Sequence, residues 1–151
     1  MIVLESWKLK ILHLVNRPRM RRFKEELLRQ QLLTFLADRK QFPKSLIVQE
    51  KKISTLANID RNCRLRRRID LLIYTPQCKP LLLIECKAVP ITAKAVKQIL
   101  GYNYYIGAPC IAIVNQRKCI LQWKEGSSII YSDWESFPSY ERCIQEYLQY
   151  G

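Results

Sequence analysis

Three charged residues stand inside two short apolar runs that the sequence predicts to form a β-hairpin. Asp70 lies in the first run, Glu85 and Lys87 lie in the second, and a turn bounded by two prolines separates the runs. Asp70 and Glu85 are equally far from the middle of this turn. A symmetric hairpin therefore places them opposite each other, with β-carbons about 5 Å apart. Lys87 projects from the same face because it lies two residues beyond Glu85.

Two carboxylates held this close among leucines repel each other and lose hydration, so they need a cation nearby. Lys87 alone would give a structural ion cluster, whereas a divalent metal ion would leave Lys87 free to act on a substrate. Mg²⁺ prefers one or two carboxylates together with water and phosphate oxygens, which this pair would supply. The Glu-x-Lys spacing by itself is weak evidence for a catalytic site, because Glu50 and Lys52 have the same spacing. Only Glu85 has an aspartate across a predicted hairpin.

The surrounding sequence predicts the elements that position these residues. Helices are predicted from Phe23 to about Arg39, from a Thr92 cap to Gly107, and over 139–150. Strands are predicted around 7–11 and over 46–56, 69–75, 81–88, 110–115, 118–124 and 128–132, with a basic loop at 57–68. The order of helix, three strands, helix and strand, with extensions at both ends, predicts an α/β fold with a central mixed sheet flanked by helices. We expect four aromatic residues to serve in packing: Tyr104, Tyr105, Trp123 and Trp134.

Composition limits the classes of protein to which the chain can belong. Of its 151 residues, 48% are hydrophobic and 26% are charged, an ordinary globular balance, so we expect one domain over residues 1–151. The apolar runs are too short to span a membrane, and charged residues near the start interrupt any signal peptide, so we expect a cytoplasmic protein. The chain has only four glycines, and their positions match no glycine-rich phosphate-binding loop. We therefore expect no nucleotide cofactor.

The chain has a strong basic excess, with 26 Lys and Arg against 13 Asp and Glu. Most of the excess lies in residues 1–70, in two clusters: Arg17, Arg19, Arg21, Arg22 and Lys24, and then Arg61, Arg64, Arg66, Arg67 and Arg68. Arginine binds phosphate oxygens through its forked donors, and a charge of this size attracts polyanions by releasing their counterions. The charge therefore predicts a nucleic-acid partner, with a solvated basic face or an anionic lipid surface as the alternatives.

The sequence of the second strand, together with Asp70, resembles the PD-(D/E)xK phosphodiesterase superfamily, although Ile69 stands where the motif has proline. More narrowly, the chain resembles the N-terminal nuclease domain of type I restriction enzyme R subunits. The stretches that fit this domain are 82–88, 25–30, 42–44, 98–103, and 108–109 followed by 111–115. The resemblance implies a restriction-endonuclease-like core over about residues 23–123.

The resemblance implies catalytic roles for the residues of the hairpin. Asp70, Glu85 and the backbone carbonyl of Cys86 would bind Mg²⁺ or Mn²⁺. Lys87 would position or activate the attacking water and offset charge on the phosphate. The implied activity is that of a metal-dependent endonuclease that hydrolyses DNA phosphodiester bonds. The alternative is a non-catalytic nucleic-acid-binding module that keeps the nuclease fold.

The resemblance also implies roles for residues outside the hairpin. Glu26, or else Glu25, matches the helix carboxylate of the family that supports the metal. The residues expected to support the site or contact the nucleic acid are Gln98, Tyr102, Lys94, Arg66 and Arg68. We expect DNA as the partner, together with a homodimer or a separate protein partner.

Overall fold

The computed structural model describes residues 18–56, 59, 63 and 65–150, so the single domain expected over residues 1–151 stays a prediction. Within this part of the chain, six strands form one sheet in sequence order: β1 (Ile47–Gln49), β2 (Leu71–Tyr74), β3 (Pro80–Cys86), β4 (Cys110–Val114), β5 (Cys119–Trp123) and β6 (Ile129–Tyr131). Neighbouring strands are antiparallel, except that β3 and β4 run parallel. The strand predicted around residues 7–11 lies outside the described residues.

Among the described residues, three helices accompany the sheet: α1 (Pro18–Arg39), α2 (Ala93–Ile106) and α3 (Tyr140–Tyr150). α2 supplies the crossover that the parallel strands β3 and β4 require. The side-chain oxygen of Thr92 caps α2 by accepting a hydrogen bond from the backbone N–H of Ala95. Gly107 ends this helix with a left-handed φ of 73°, as the sequence predicts. None of the helices that the structure describes has the length and apolar character needed to cross a membrane.

The helices cover both faces of the sheet and enclose two apolar clusters. α1 and α3 pack against one face, which carries Leu71 and Ile84. α2 packs against the other face, which carries Leu72 and Leu83. Successive side chains of a strand point to opposite faces, which explains why neighbouring leucines belong to different clusters. The predicted α/β fold with a mixed sheet flanked by helices is therefore confirmed.

β2 and β3 form the predicted hairpin. Their paired residues keep a constant offset: Leu71 with Ile84, Leu72 with Leu83, and Ile73 with Leu82. The register becomes irregular only at Tyr74, next to the turn. Continued by one residue in the other direction, the same offset sets Asp70 opposite Glu85. The hairpin centre inferred from the sequence is thus confirmed.

The strand predicted over 46–56 is wrong over most of its length. β1 covers only Ile47–Gln49, because Glu50 adopts a left-handed φ of 51° that extended chain does not allow. The backbone N–H of Glu50 then donates to the carbonyl oxygen of Asp70, and a short 3₁₀ helix follows at Ile53–Thr55. This turn keeps Glu50 beside the start of β2.

The aromatic residues expected to serve in packing divide into two pairs. Trp123 is buried, and Trp134 is partly buried and donates its indole N–H to the carbonyl oxygen of Asn115 at 2.8 Å. Tyr104 and Tyr105 are exposed, so the expectation is wrong for them. The buried face of α2 follows a different helical stripe, formed by Ala95, Ile99, Tyr102 and Ile106.

Candidate active site

The carboxylate of Asp70 lies where the β2–β3 hairpin ends. Asp70 precedes β2 by one residue, and its Oδ2 accepts a hydrogen bond of 2.7 Å from the backbone N–H of Cys86, the last residue of β3. Asp70 lies two residues from Leu72, and Glu85 lies two residues from Leu83; both leucines face α2. Ile69 also belongs to the cluster that packs against α2, so the strict alternation of β2 ends at Asp70. The hydrogen bond from Cys86, the residue after Glu85, places the two acids at the same end of the hairpin.

Polar contacts tie the end of β3 to α2. Lys87 Nζ lies 3.1 Å from Glu85 Oε1 and donates to Gln98 Oε1 at 3.3 Å. Gln98 Nε2 donates to the hydroxyl of Tyr102 at 2.7 Å and to Glu85 Oε1 at 3.4 Å. The structure therefore brings together four residues that the sequence singled out. One amide side chain orients both the carboxylate and the ammonium.

Burial raises the pKa of both acids at this site. Glu85 is 7% exposed, and burial followed by repulsion from Asp70 raises the pKa of Glu85 to about 8, although Lys87 opposes the shift. Burial also raises the pKa of Asp70, against the hydrogen bond from Cys86. Burial by itself would lower the pKa of Lys87, but the nearby Glu85 outweighs it, and that pKa is raised. Burial therefore works against ionisation of Glu85, and a further cation would favour its ionised form.

α1 brings a different carboxylate to the site from the one first expected. Glu25 lines the same cleft as Glu85. Glu26 instead forms an ion pair with Arg29. Consecutive residues of a helix are about 100° apart around its axis, so neighbouring acids point in different directions. The expectation that Glu26 supports the metal is corrected accordingly, because Glu25 is the α1 acid that the structure places at the site.

Arg29 is a buried cation behind the site that the sequence interpretation missed. It is 4% exposed, its Nη1 lies 2.7 Å from a carboxylate oxygen of Glu50, and its Nη2 pairs with Glu26. Burial would lower the pKa of Arg29, but the two carboxylates outweigh burial and raise it. The positive charge of Arg29 lowers the pKa of Asp70 and so counteracts part of the increase that burial causes. Its position next to Leu28, on the buried stripe of α1, was the sequence feature that could have identified it.

The polar network opens into a cleft of about 860 Å³. Glu85, Lys87, Gln98 and Tyr102 lie on its wall. Further cations reach the cleft from α1, from the segment before β2 and from α2: Arg21, Arg22, Arg67, Lys94 and Lys97. A cleft lined mainly by one sign of charge concentrates ligands of the opposite sign. We call this feature the cationic cleft.

The phosphate contacts expected from the sequence are only partly at the cationic cleft. Lys94 lines it, whereas Arg66 and Arg68 are exposed and lie outside its lining, so the phosphate contacts expected of these two arginines stay predictions. Arg67 takes that place instead. The chain is extended here, with the carbonyl oxygen of Arg67 accepting from the N–H of Ile53, so alternate side chains point to opposite sides. Three other arginines of the basic clusters lie outside the described residues: Arg17, Arg61 and Arg64.

The donor groups at the site fit a hard divalent cation. Asp70 and Glu85 offer two carboxylates at the end of the hairpin next to the peptide of Cys86, and Glu25 lines the same cleft as Glu85. Over the residues that the structure describes, no three His, Cys, Asp or Glu side chains gather closely enough to hold a metal by themselves. Structural zinc takes four protein ligands, whereas Mg²⁺ is usually bound by one or two carboxylates together with water and phosphate. The set therefore suits an ion that shares its coordination with a phosphate substrate.

A protein-family model matches residues 24–138 of the chain. The model describes the N terminus of the type I restriction enzyme R protein (HSDR_N). The matched range includes Glu25, the β2–β3 hairpin and all of α2, and hence every residue that the structure brings to the network. No curated protein matches the chain.

Proposed function

Because the chain belongs to the family of type I restriction enzyme R protein N-terminal domains, we propose that it is a metal-dependent nuclease that hydrolyses phosphodiester bonds in DNA. Family membership supports a nuclease role related to restriction enzymes. One observation carries the proposal to the chemistry: the carboxylates of Asp70 and Glu85 lie at the same end of the β2–β3 hairpin, and Glu85 lies beside the ammonium of Lys87 in the cationic cleft.

In this proposal, Asp70 and Glu85 hold Mg²⁺ or Mn²⁺, with the carbonyl of Cys86 and the carboxylate of Glu25 as further donors. When bound, the ion supplies positive charge that stabilises the charge developing on the scissile phosphate. Burial raises the pKa values of both carboxyl groups, and a nearby cation would favour their ionised forms. This pairing of two desolvated acids with a cation is the physical reason for placing the metal here.

Lys87 supplies a fixed positive charge next to the proposed metal site. An ammonium group has three N–H donors, and Lys87 directs two of them at Glu85 and Gln98, which leaves one donor for a substrate oxygen. Gln98 is itself held by Tyr102, one helical turn further along α2. Lys87 is therefore preorganised to donate to the attacking water or to a phosphate oxygen.

The cationic cleft would hold the substrate backbone. Its arginines come from two separate elements, α1 and the segment before β2, and its lysines come from α2 and from the end of β3. Guanidinium groups bind phosphate oxygens through two parallel hydrogen bonds, and this binding weakens as salt rises. The cleft can thus position a phosphodiester against Glu85 and Lys87.

One observation favours a second candidate, a non-catalytic nucleic-acid-binding module. Glu85 and Lys87 lie only 3.1 Å apart, so each can neutralise the other without a metal. In that case the network would be a structural ion cluster and the cleft would still bind nucleic acid. The two functions differ in whether strand cleavage depends on the metal and on these side chains.

The deciding experiment incubates the purified chain with supercoiled plasmid, linear duplex, single-stranded DNA and RNA, in Mg²⁺, in Mn²⁺ or in EDTA. Glu85→Gln and Lys87→Met are the test variants, and Glu125→Gln, at an exposed acid in the β5–β6 turn, is the matched control. We expect metal-dependent DNA cleavage by the parent and the control, and a loss of at least about 100-fold in both test variants.

The alternative outcomes are distinct. Cleavage that persists in Glu85→Gln and Lys87→Met would come from a contaminant or another site and would contradict the proposal. Salt-sensitive binding without any cleavage in Mg²⁺ or Mn²⁺ would identify the binding module. Cleavage of RNA alone would contradict DNA as the substrate.

A further inference from the structure

Two adjacent tyrosines are exposed near the end of α2. Tyr104 is 84% exposed, and Tyr105 is also exposed. Their ring centroids lie 5.2 Å apart with an interplanar angle of 88°, so the rings meet edge to face. The exposed faces of these rings are apolar surface on which a planar group can stack.

Tyr104 continues a stripe on α2 that begins in the cationic cleft. Lys97 and Gly101 line the cleft, and Tyr104 follows them at the spacing of one helical face. A β-carbon at Gly101 would meet nothing within 4 Å, so the stripe is open at this point. Gln98, which contacts Lys87, precedes Tyr104 by about 9 Å along the helix axis. That distance corresponds to two to three stacked nucleotide steps of about 3.4 Å each.

A smaller cavity of about 370 Å³ adjoins Tyr104. Its lining includes Leu100, Trp123 and Lys124, and none of its described lining residues is acidic. The volume lies within the range of about 300–1,000 Å³ that small-molecule sites occupy, so the cavity has room for a planar base. Lysines thus line both cavities, Lys97 in the cationic cleft and Lys124 in the smaller cavity, and their positive charge complements a polyanion.

We propose that Tyr104 and Tyr105 form a stacking surface for unpaired bases of a nucleic-acid strand whose phosphates lie in the cationic cleft. The inference rests on the proposed nuclease function and names its substrate class, a nucleic acid with a single-stranded segment next to the bond that is cleaved. Bases inside a duplex are covered by their neighbours, whereas an unpaired base exposes a face to an aromatic ring. Lys97 and Lys124 would contact the phosphates on either side of the stacked base.

The test measures binding in EDTA, so that cleavage does not contribute. A labelled oligothymidine of about 12 nucleotides and a duplex of equal length are titrated with the parent chain, Tyr104→Ala and Tyr104→Phe, and binding is followed by fluorescence anisotropy. Leu148→Ala, at an exposed apolar residue on α3, is the matched control. We expect Tyr104→Ala to weaken single-strand binding about 5- to 150-fold and to lower the ratio of single-strand to duplex affinity. Tyr104→Phe keeps the ring and should bind as the parent does.

A second readout reports stacking directly. A strand containing 2-aminopurine should lose fluorescence on binding the parent chain and keep it with Tyr104→Ala. Equal single-strand affinity of the parent and Tyr104→Ala would overturn the stacking surface, and so would a Tyr104→Phe variant as weak as Tyr104→Ala. Neither result bears on the nuclease proposal. That proposal is tested separately, by whether Glu85→Gln loses metal-dependent cleavage. Circular dichroism melting of each variant verifies that it is folded.

Discussion

Replacing Glu85 by glutamine should remove a large pH dependence from the stability of the metal-free protein. Burial, followed by repulsion from Asp70, raises the pKa of Glu85 from 4.5 to about 8. Between these values the folded chain binds the proton more tightly than the unfolded chain does. The stability contributed by protonated Glu85 is therefore complete below about pH 4.5 and is lost as the pH rises through about 8. At about 1.36 kcal/mol per pH unit, the loss over this window is about 5 kcal/mol.

Glutamine has the shape of a protonated glutamate and does not ionise, so the variant should keep its stability across the same window. Urea unfolding in EDTA, at a series of pH values from about 5 to about 8.5, gives the free energy of unfolding of the parent and of Glu85→Gln. As the pH rises, we expect the free energy of unfolding of the parent to fall by several kcal/mol relative to that of Glu85→Gln. Loss of the contact with Lys87 lowers the stability of the variant without creating this trend. If the difference between the parent and Glu85→Gln does not change with pH, the reasoning is refuted. For the control Glu125→Gln, we expect no such change of the difference with pH.

Three further outcomes are expected from the contacts at and around the site. Mg²⁺ at about ten times its Kd should raise the free energy of unfolding of the parent at pH 8 by about 1.4 kcal/mol, and that of Glu85→Gln by much less, in thermal-shift measurements. Arg29→Met should lower the free energy of unfolding by about 2 kcal/mol because it removes a buried guanidinium that donates to the carboxylates of Glu50 and Glu26. Arg39→Met, which breaks an exposed pair, should cost under about 1 kcal/mol in the same urea titration. Arg67→Ala should reduce the salt slope of DNA binding by about 1, and Arg66→Ala should leave it unchanged, in anisotropy titrations at several salt concentrations. Equal effects within either pair of arginine variants would contradict their placement.

The hairpin could be predicted because its information is local. The two strands adjoin one proline-bounded turn, and the offset set by its centre relates Asp70 to Glu85. Gln98 and Tyr102 lie four residues apart, a spacing that sets them on one face of a helix, and the structure joins them by a direct hydrogen bond. These features depend on periodicity along a short segment, which a sequence records well.

The contributions of α1 and of the segment before β2 could not be predicted in detail. Which acid of α1 faces the sheet depends on how the helix is rotated in its packing, and a change of one residue turns the side chain by about 100°. Which arginine before β2 faces the cleft depends on pairing with residues near Ile53, in a region where a long strand was expected. The left-handed backbone of Glu50, which ends β1, belongs to a residue type without any preference for that conformation.

The hydrogen bond from the Cys86 N–H to Asp70 gives one side chain two tasks. The Oδ2 atom of Asp70 holds the end of β3, and the negative charge of the same carboxylate would bind the proposed metal ion. An alanine at this position would lose both, so this end of the β2–β3 hairpin would lose a contact, and a loss of cleavage would say nothing about metal binding. Asparagine still offers an oxygen to the N–H but carries no charge. Comparing the two replacements thus separates the architecture of the strand end from the reactivity that it supports.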